Sequence, residues 1–398
     1  MSEWKEYRLD GLMQIKYGKD HKHLADGTYP LYGSGGIMRY VEKPLYDDES
    51  ILIPRKGTLS NLFYLDQPFW SVDTMFYSKI TKDLVLPKYL FYTLKTFDLA
   101  SLNVGSAVPS LTTEVLNEVL VSIPSLPTQT TIAEILSSLD DKIELNNKIN
   151  QELENLAQTL FKQWFIDFEF PNENGEPYKS SGGEMVDSEL GEFPKGWEVY
   201  RFKDIVSNYI DNRGKTPPIA NDGIPLVEVK HMVDIGIYPS LKTDKFLSKE
   251  VYDTFLRAHL LEDDILMSTV GTIGRLNIVP DFQIFAIAQN VLGIRFKKDL
   301  ISQLFMFCLM RTKGFNDEIK SRLIETVQSS IKRGDLEKIP VILPKRILVE
   351  RFDNIIKDIF DRIKTSVLEI DELVNLRDTL LPKLISGELE VSQTQTTA

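Results

Sequence analysis

Thr131–Leu160 reads TIAEILSSLDDKIELNNKINQELENLAQTL, and Arg351–Leu380 reads RFDNIIKDIFDRIKTSVLEIDELVNLRDTL. Aligned, the two segments match position by position at a constant separation of 220 residues. Ile132, Ile135, Leu136, Leu139, Asp141 and Ile143 fall on Phe352, Ile355, Ile356, Ile359, Asp361 and Ile363; Leu153, Asn155, Leu156, Thr159 and Leu160 fall on Leu373, Asn375, Leu376, Thr379 and Leu380. In the first segment the apolar residues Ile132, Leu136, Leu139 and Ile143 are spaced four, three and four apart. Asn146 and Asn150 take the next seam positions, and Leu153, Ala157 and Leu160 resume the stripe. The second segment runs Phe352, Ile356, Ile359, Ile363, Ser366, Ile370, Leu373, Arg377, Leu380. This is a heptad seam and predicts two long helices, each roughly 50 Å long at 1.5 Å per residue. Thr128, just after Pro127, is the expected N-cap of the first. A lone amphipathic rod cannot bury its stripe. Each rod either packs on its own globular neighbour or pairs with the other; an antiparallel pair would carry one globular domain at each end.

Upstream of each rod the chain also repeats, but the separation drifts. Trp4-Lys5-Glu6-Tyr7-Arg8-Leu9 returns as Trp197-Glu198-Val199-Tyr200-Arg201-Phe202, 193 residues on. Ser50–Ile53 with Gly57-Thr58-Leu59 returns as Asp264–Met267 with Gly271-Thr272-Ile273, 214 on. Val119–Pro124 returns as Ile339–Pro344, 220 on. A drifting separation marks loops of unequal length, and a fixed one marks an element that tolerates no insertion. The expected division is a globular domain over 1–125, a helix over 126–170, a linker over 171–196, a second globular domain over 197–345, a helix over 346–386 and a tail over 387–398. The linker is rich in Gly, Pro, Ser and acid. Ser50–Ile53, Met75–Ile80, Ile224–Val229 and Val291–Phe296 suit strands, with short helices near 87–97 and 301–312. The fold class is mixed α/β, of the α+β kind.

Net charge is −12, which taken whole disfavours a polyanionic ligand. The acid is unevenly spread. Residues 1–125 hold 13 basic and 15 acidic residues and residues 197–345 hold 21 and 19, whereas residues 126–170 hold 3 and 8. The globular domains are near neutral and leave room for local basic faces. Cys308 is the single cysteine, which fits a reducing cytoplasm. The opening MSEWKEYRLD lacks the basic and apolar regions of a signal peptide, and no apolar run reaches the length of a membrane span.

The central LFKQWFIDFEFP (Leu160–Pro171), the re-entry LGEFPKGWEVYRFKDI (Leu190–Ile205), the C-terminal RDTLLPKLISGEL (Arg377–Leu389) and PSLPTQTTIAEILSSLDDKIELNN (Pro124–Asn147) resemble the specificity subunits of type I restriction–modification enzymes. The resemblance implies two similar target-recognition domains, each reading half of a bipartite site in double-stranded DNA, separated by two long helices packed as an antiparallel coiled coil. It implies a non-catalytic subunit that docks two methyltransferase subunits and restriction subunits. The chain itself would bind no cofactor; S-adenosylmethionine, ATP and Mg would belong to those partners.

Catalytic motifs agree with that division of labour. Thr216-Pro217-Pro218-Ile219 lacks the amide and aromatic of an adenine methyltransferase motif, and Gly271-Thr272-Ile273-Gly274 lacks the length and lysine of a phosphate-binding loop. His21 and His23 have no further metal ligands nearby. Asp222 with Glu228-Val229-Lys230 matches a loose nuclease pattern but reads more simply as a half-exposed strand. DNA contacts suit the polar loops better. In the first domain the candidates are Lys16, Lys19, His21, Lys22, His23, the run Tyr32-Gly33-Ser34-Gly35-Gly36, Arg55 and Lys56. Glycines let a backbone approach phosphate, and an arginine can reach phosphate or a guanine edge. In the second domain they are Arg213, Lys215, Thr216, Lys230, His231, Thr269, Gln289, Asn290, Lys332 and Arg333, with Thr269 and Val270 standing where the first domain has Arg55 and Lys56. Gln289 and Asn290 carry amides suited to adenine. A duplicated coiled-coil scaffold that reads no DNA is the alternative.

Overall fold

The computed structural model describes residues 4–105, 108–212, 216–323 and 330–391. The chain forms two units, residues 1–145 with 369–398, and residues 146–368. Both long helices are shared between them.

The first unit opens with β1 (Lys5–Arg8), the short helix α1 (Leu9–Leu12) and β2 (Met13–Tyr17). There follow β3 (Asp26–Gly33), β4 (Gly36–Val41), β5 (Ser50–Pro54), β6 (Phe63–Leu65), β7 (Trp70–Ser71), β8 (Met75–Ile80), α2 (Pro87–Lys95), α3 (Thr113–Asn117) and β9 (Leu120–Ile123). β1 and β9 form an antiparallel ladder, Lys5 opposite Ile123, so the domain begins and ends side by side. One sheet has the order β2-β8-β5-β6 and a second β4-β3-β7. β5, SILIP, is buried at every position, as an uninterrupted apolar run on a central strand should be. The Ser50 hydroxyl donates to the Ser78 carbonyl at 2.8 Å, satisfying the one polar side chain of that strand.

The long helix α4 (Leu126–Phe161) follows and ends in a π-helical turn, Lys162–Ile166. It starts ahead of the expected cap. The Ser125 carbonyl accepts from the Gln129 N–H at 3.0 Å, Pro127 sits in the first turn, and Thr128 touches the Ser125 hydroxyl at 3.1 Å from inside the helix. The stretch expected as a linker is folded: β10 (Met185–Val186) pairs with β11 (Phe193–Pro194), and Phe170 stacks on Tyr178 and Trp197.

The second unit repeats the plan. β12 (Glu198–Arg201), α5 (Phe202–Ile205), β13 (Val206–Ile210), β14 (Ile224–Val227), β15 (Phe246–Leu247), α6 (Lys249–Phe255), β16 (Ile265–Ser268), β17 (Leu276–Ile278), β18 (Ala286–Ile287) and β19 (Val291–Phe296) lead to α7 (Gln303–Met310), α8 (Lys313–Lys320), α9 (Arg333–Leu336), β20 (Pro340–Leu343) and α10 (Arg346–Ser386). β12 pairs with β20 as β1 does with β9. The sheet β13-β19-β16-β17 matches β2-β8-β5-β6. The parallel pair β14–β18 matches β3–β7. The expected strand 224–229 stops at Val227. The Glu228 N–H donates to His231 Nδ1 at 3.0 Å and opens a 3-10 turn, Val229–His231. Cys308 lies fully buried in α7, and burial pushes its thiol pKa up to about 12. No helix among the described residues is long and apolar enough to cross a membrane.

In each unit the two long helices run side by side and also pack on the globular core, so the two sequence expectations hold together. In the first unit Arg377 meets Asp140 at 2.7 Å and Lys142 meets Glu369 at 3.3 Å, an antiparallel order. Ile132, Ala133 and Leu136 share a core with Leu384, Ile385, α2 and β9. In the second, Ala157 and Phe161 share a core with Phe352, Ile356, Phe360 and Ile363. Phe352 lies 5.6 Å from the Phe161 ring and 5.0 Å from Phe165. The seam is not equally buried. Leu139, Ile143, Leu153, Leu160, Ile359, Ile370, Leu373 and Leu380 are half-exposed. A helix of 3.6 residues per turn drifts off a strict heptad stripe, and polar Asn146, Asn150 and Ser366 occupy buried positions of the second unit.

Candidate nucleic-acid interface

In the first unit four loops meet at one end of the sheets. The Arg55 N–H donates to Thr74 O at 2.9 Å, Leu111 N–H to Arg55 O at 2.9 Å, and Val72 N–H to Tyr32 O at 3.0 Å. Gly18 and Lys19 donate to Met75 O and Ser71 O, each at 2.9 Å. These backbone bonds fix the 17–23 segment, the β5 end and the β7–β8 turn against one another. On this frame the Arg55 guanidinium lies 5.3 Å above the Tyr17 ring, and its Nη1 donates to the Asp73 carbonyl at 3.2 Å. Ser34 approaches Gly57, where a Cβ would stand 3.4 Å from its hydroxyl, and the Ser34 carbonyl accepts from the Asn61 amide at 2.7 Å. Gly36 has φ of +108° with open space around it, so the turn at Gly35 and Gly36 presents bare backbone. Lys19, Lys22 and Lys56 are exposed and Lys16 half-buried, none with a carboxylate partner among the described residues.

Several candidates do not face outward. Tyr32 is 8 % exposed and packs against Phe63 in the core, which raises its phenol pKa. Gly33 is buried, and a Cβ there would stand 2.7 Å from Met38 Sδ. The Nδ1 of His21 is buried without a hydrogen-bond partner, while the His21 carbonyl accepts from Arg39. His23 is exposed and lies edge-on to Trp70. Tyr17, Asn61 and Asp73 are members that sequence reasoning missed; an isolated aromatic on a strand gives no local signal.

In the second unit the same backbone bonds recur: Thr269 N–H to Asn290 O at 2.9 Å, Ile331 N–H to Thr269 O at 3.1 Å, and Ala288 N–H to Val227 O at 2.9 Å. The side chains differ. Thr216, Pro217, Glu228, Lys230, Lys245, Gln289 and Asn290 line a single cleft, with the Gln289 amide donating to the Thr216 hydroxyl at 3.2 Å. Lys245 was not among the expected residues. It meets Glu228 at 2.8 Å, and Lys230 bridges Glu228 at 3.3 Å and Asp244 at 3.1 Å. Lys245, then Lys230, hold the Glu228 carboxyl below its ordinary pKa despite some burial.

Thr269 is 4 % exposed, and its hydroxyl turns inward to Asn290 O. His231 is 7 % exposed and, chiefly through burial, has its pKa lowered, so it is a neutral acceptor within its turn and not a DNA-facing cation. Arg333 is spent on Glu337 at 2.7 Å and on the Tyr209 ring at 4.1 Å. Lys332 is exposed beside Ile331. Arg213 and Lys215 lie outside the described residues. Glu228, His231 and Asp244 do converge, with ligand atoms within 4.8 Å of one another. Lysine ammoniums already neutralise both carboxylates and His231 Nδ1 accepts a backbone proton, so the group is a closed ion-pair network. Asp222, the other half of the nuclease-like string, is not in it.

Comparison with known proteins places this architecture. The profile of the type I restriction modification DNA specificity domain matches residues 1–155 and 194–372. The MjaIX type I restriction enzyme specificity subunit of Methanocaldococcus jannaschii is 30 % identical over 391 residues, covering 94 % of this chain and 86 % of that one. The HindI specificity subunit of Haemophilus influenzae is 24 % identical, covering 77 % and 78 %. The crystal structure of the type I restriction–modification S subunit from M. genitalium superposes with a TM-score of 0.57 at 16 % identity, covering 96 % of each chain, a likeness of fold.

Proposed function

The chain belongs to the type I restriction–modification DNA specificity family, and on that premise we propose that its two units each read one half of a bipartite duplex site for a methyltransferase complex. The observation that carries the reading is the pair of surfaces at equivalent places in a duplicated fold. The same backbone bonds hold Arg55 to Thr74 and Thr269 to Asn290, while the side chains at these matched positions differ in charge and donor pattern. One frame with two sets of side chains is what reading two unlike half-sites requires, because base edges are told apart by donor and acceptor geometry. Exposed lysines around the first surface supply the phosphate contacts that hold a reader in register. The long helices are the docking elements for two methyltransferase subunits and for restriction subunits. Those partners bring S-adenosylmethionine, ATP and Mg; this chain supplies recognition and no bond-making group.

The test is co-expression with the cognate methyltransferase subunit in cells without adenine methylation of their own, followed by sequencing of methylated bases. The expected result is a single bipartite motif with a fixed spacer. Exchanging residues 1–125 for those of a relative should rewrite one half and leave the other half and the spacer intact. A motif that is continuous, or a swap that rewrites both halves, overturns the reading. The purified chain alone should transfer no methyl group to DNA.

A further inference from the structure

We infer that Arg55 reads a guanine in the half-site assigned to the first unit, by a two-pronged contact to the O6 and N7 on its major-groove edge. The inference rests on the DNA-reading function proposed above and names one specificity-determining contact within it.

The charge balance around the arginines points to Arg55. In the first unit Arg8 pairs with Asp10, Arg39 with Asp26 and Arg377 with Asp140. Arg55 has no carboxylate partner among the described residues. It is nevertheless held: the face of its guanidinium rests over Tyr17 at 5.3 Å, and Nη1 is tied to the Asp73 carbonyl at 3.2 Å. Side-chain order is therefore set before any ligand arrives, and ordering a long side chain on binding would otherwise cost affinity. The tie through Nη1 leaves Nε and Nη2, the side-on fork that matches two acceptors about a base-edge spacing apart.

Two nearby features favour a base edge over a phosphate. Asp73, whose backbone carbonyl accepts from Nη1, is itself an exposed acidic residue. A second anion repels a phosphate but is tolerated by a base pair, where a cytosine amino group faces it. The exposed lysines Lys19, Lys22 and Lys56 already provide phosphate-seeking charges that need no fixed geometry. The second unit provides an internal control, because Thr269 stands in the place of Arg55 with its hydroxyl turned inward.

The test uses the complex of this chain with its methyltransferase subunit. Duplexes carrying the methylated motif are prepared with 7-deazaguanine at each guanine of the first half-site in turn, and binding is compared for the unaltered protein and Arg55→Ala. For the unaltered protein one such substitution should weaken binding markedly. For Arg55→Ala the same substitution should change nothing, while discrimination among bases at that position falls by on the order of ten- to a hundredfold. The second half-site should be read as before. Sensitivity of Arg55→Ala equal to that of the unaltered protein overturns the inference. So does a loss that is uniform across sequences and accompanied by a shallower salt dependence, since that marks a phosphate contact. The measurement on the unaltered protein stands even where Arg55→Ala does not fold; indifference to 7-deazaguanine at every guanine of that half-site overturns the inference on its own. Absence of any bipartite methylated motif would sink the underlying function instead, so the two failures are distinguishable.

Discussion

The two repeats share a skeleton and differ in what they display. In the first, β3 turns through Ser34-Gly35-Gly36 into β4, a hairpin that ends in bare backbone. In the second, β14 turns through Glu228 and His231, and its antiparallel neighbour β15 comes from farther along the chain. Yet the bonds beneath are the same, down to the isolated bridges Lys56↔Ser110 and Val270↔Ser330. Backbone hydrogen bonds are indifferent to side-chain identity, so a frame written in them leaves the outward residues free to change. The helix joints differ too. The second unit seats its helices on an aromatic cluster of Phe161, Phe165, Phe305 and Phe352. The first uses aliphatic residues and a half-exposed ion pair.

That contrast can be broken by truncation. Phe352→Ala should cost about 3–5 kcal/mol and Leu136→Ala about 2–5 kcal/mol, since each removes a fully buried side chain. Hydrogen exchange should place the first loss in residues 146–368 and the second in the other unit; equal loss of protection in both would mean the joints are not local.

The ion pairs sharpen it. Glu154 is 3 % exposed and binds Arg311 at 2.9 Å while accepting from the Gly236 N–H at 3.3 Å. Removing one member of a buried pair strands the other, so Glu154→Ala should destabilise by about 3–5 kcal/mol. Asp140, between Arg377 and the Tyr92 hydroxyl, is more open. Asp140→Asn should cost about 1 kcal/mol or less. Chemical denaturation of both variants checks the order, and a reversed order would show that burial does not govern these contacts.

The smallest effect expected is in pH. Burial pushes the Asp353 carboxyl up to about 6, although the Ser302 hydroxyl donates to it at 2.7 Å and pulls the other way. A carboxyl raised in the folded state favours folding only while protonated. Its contribution is complete below the ordinary pKa of 3.8 and is lost as pH rises through about 6. Asp353→Asn should flatten the stability profile between pH 4 and pH 7 and raise the melting temperature above pH 7. An unchanged profile would show that the group is solvated.

How much of this was legible in the sequence follows from what each signal encodes. The repeat, the heptads and the central strands could be read because periodicity and a fixed separation are properties of the chain alone. The half-exposed Leu139 and Ile359 were not, because a heptad count ignores the drift of a straight helix and the depth of its neighbours. Tyr32 was expected outside, but the end of β3 is buried at Leu31, Tyr32 and Gly33 in succession, covered on both faces. Alternation cannot report that. Nor does any local pattern tell that His231 will turn its ring back to the Glu228 N–H, or that Tyr17 will lie beneath Arg55 across 38 residues of chain.

The ladders β1–β9 and β12–β20 have a consequence for inheritance. Each clamps the first strand of a domain to its last, and the long helix leaves at Leu126 after a strand ending at Ile123, or at Arg346 after one ending at Leu343. Everything between the clamped strands can be exchanged by recombination without moving the point from which the helix departs. With each unit reading one half-site as proposed, a lineage can acquire a new half of its target in one genetic event and keep the other half. The repertoire such a chain can reach grows as the product of two libraries of domains, not as their sum.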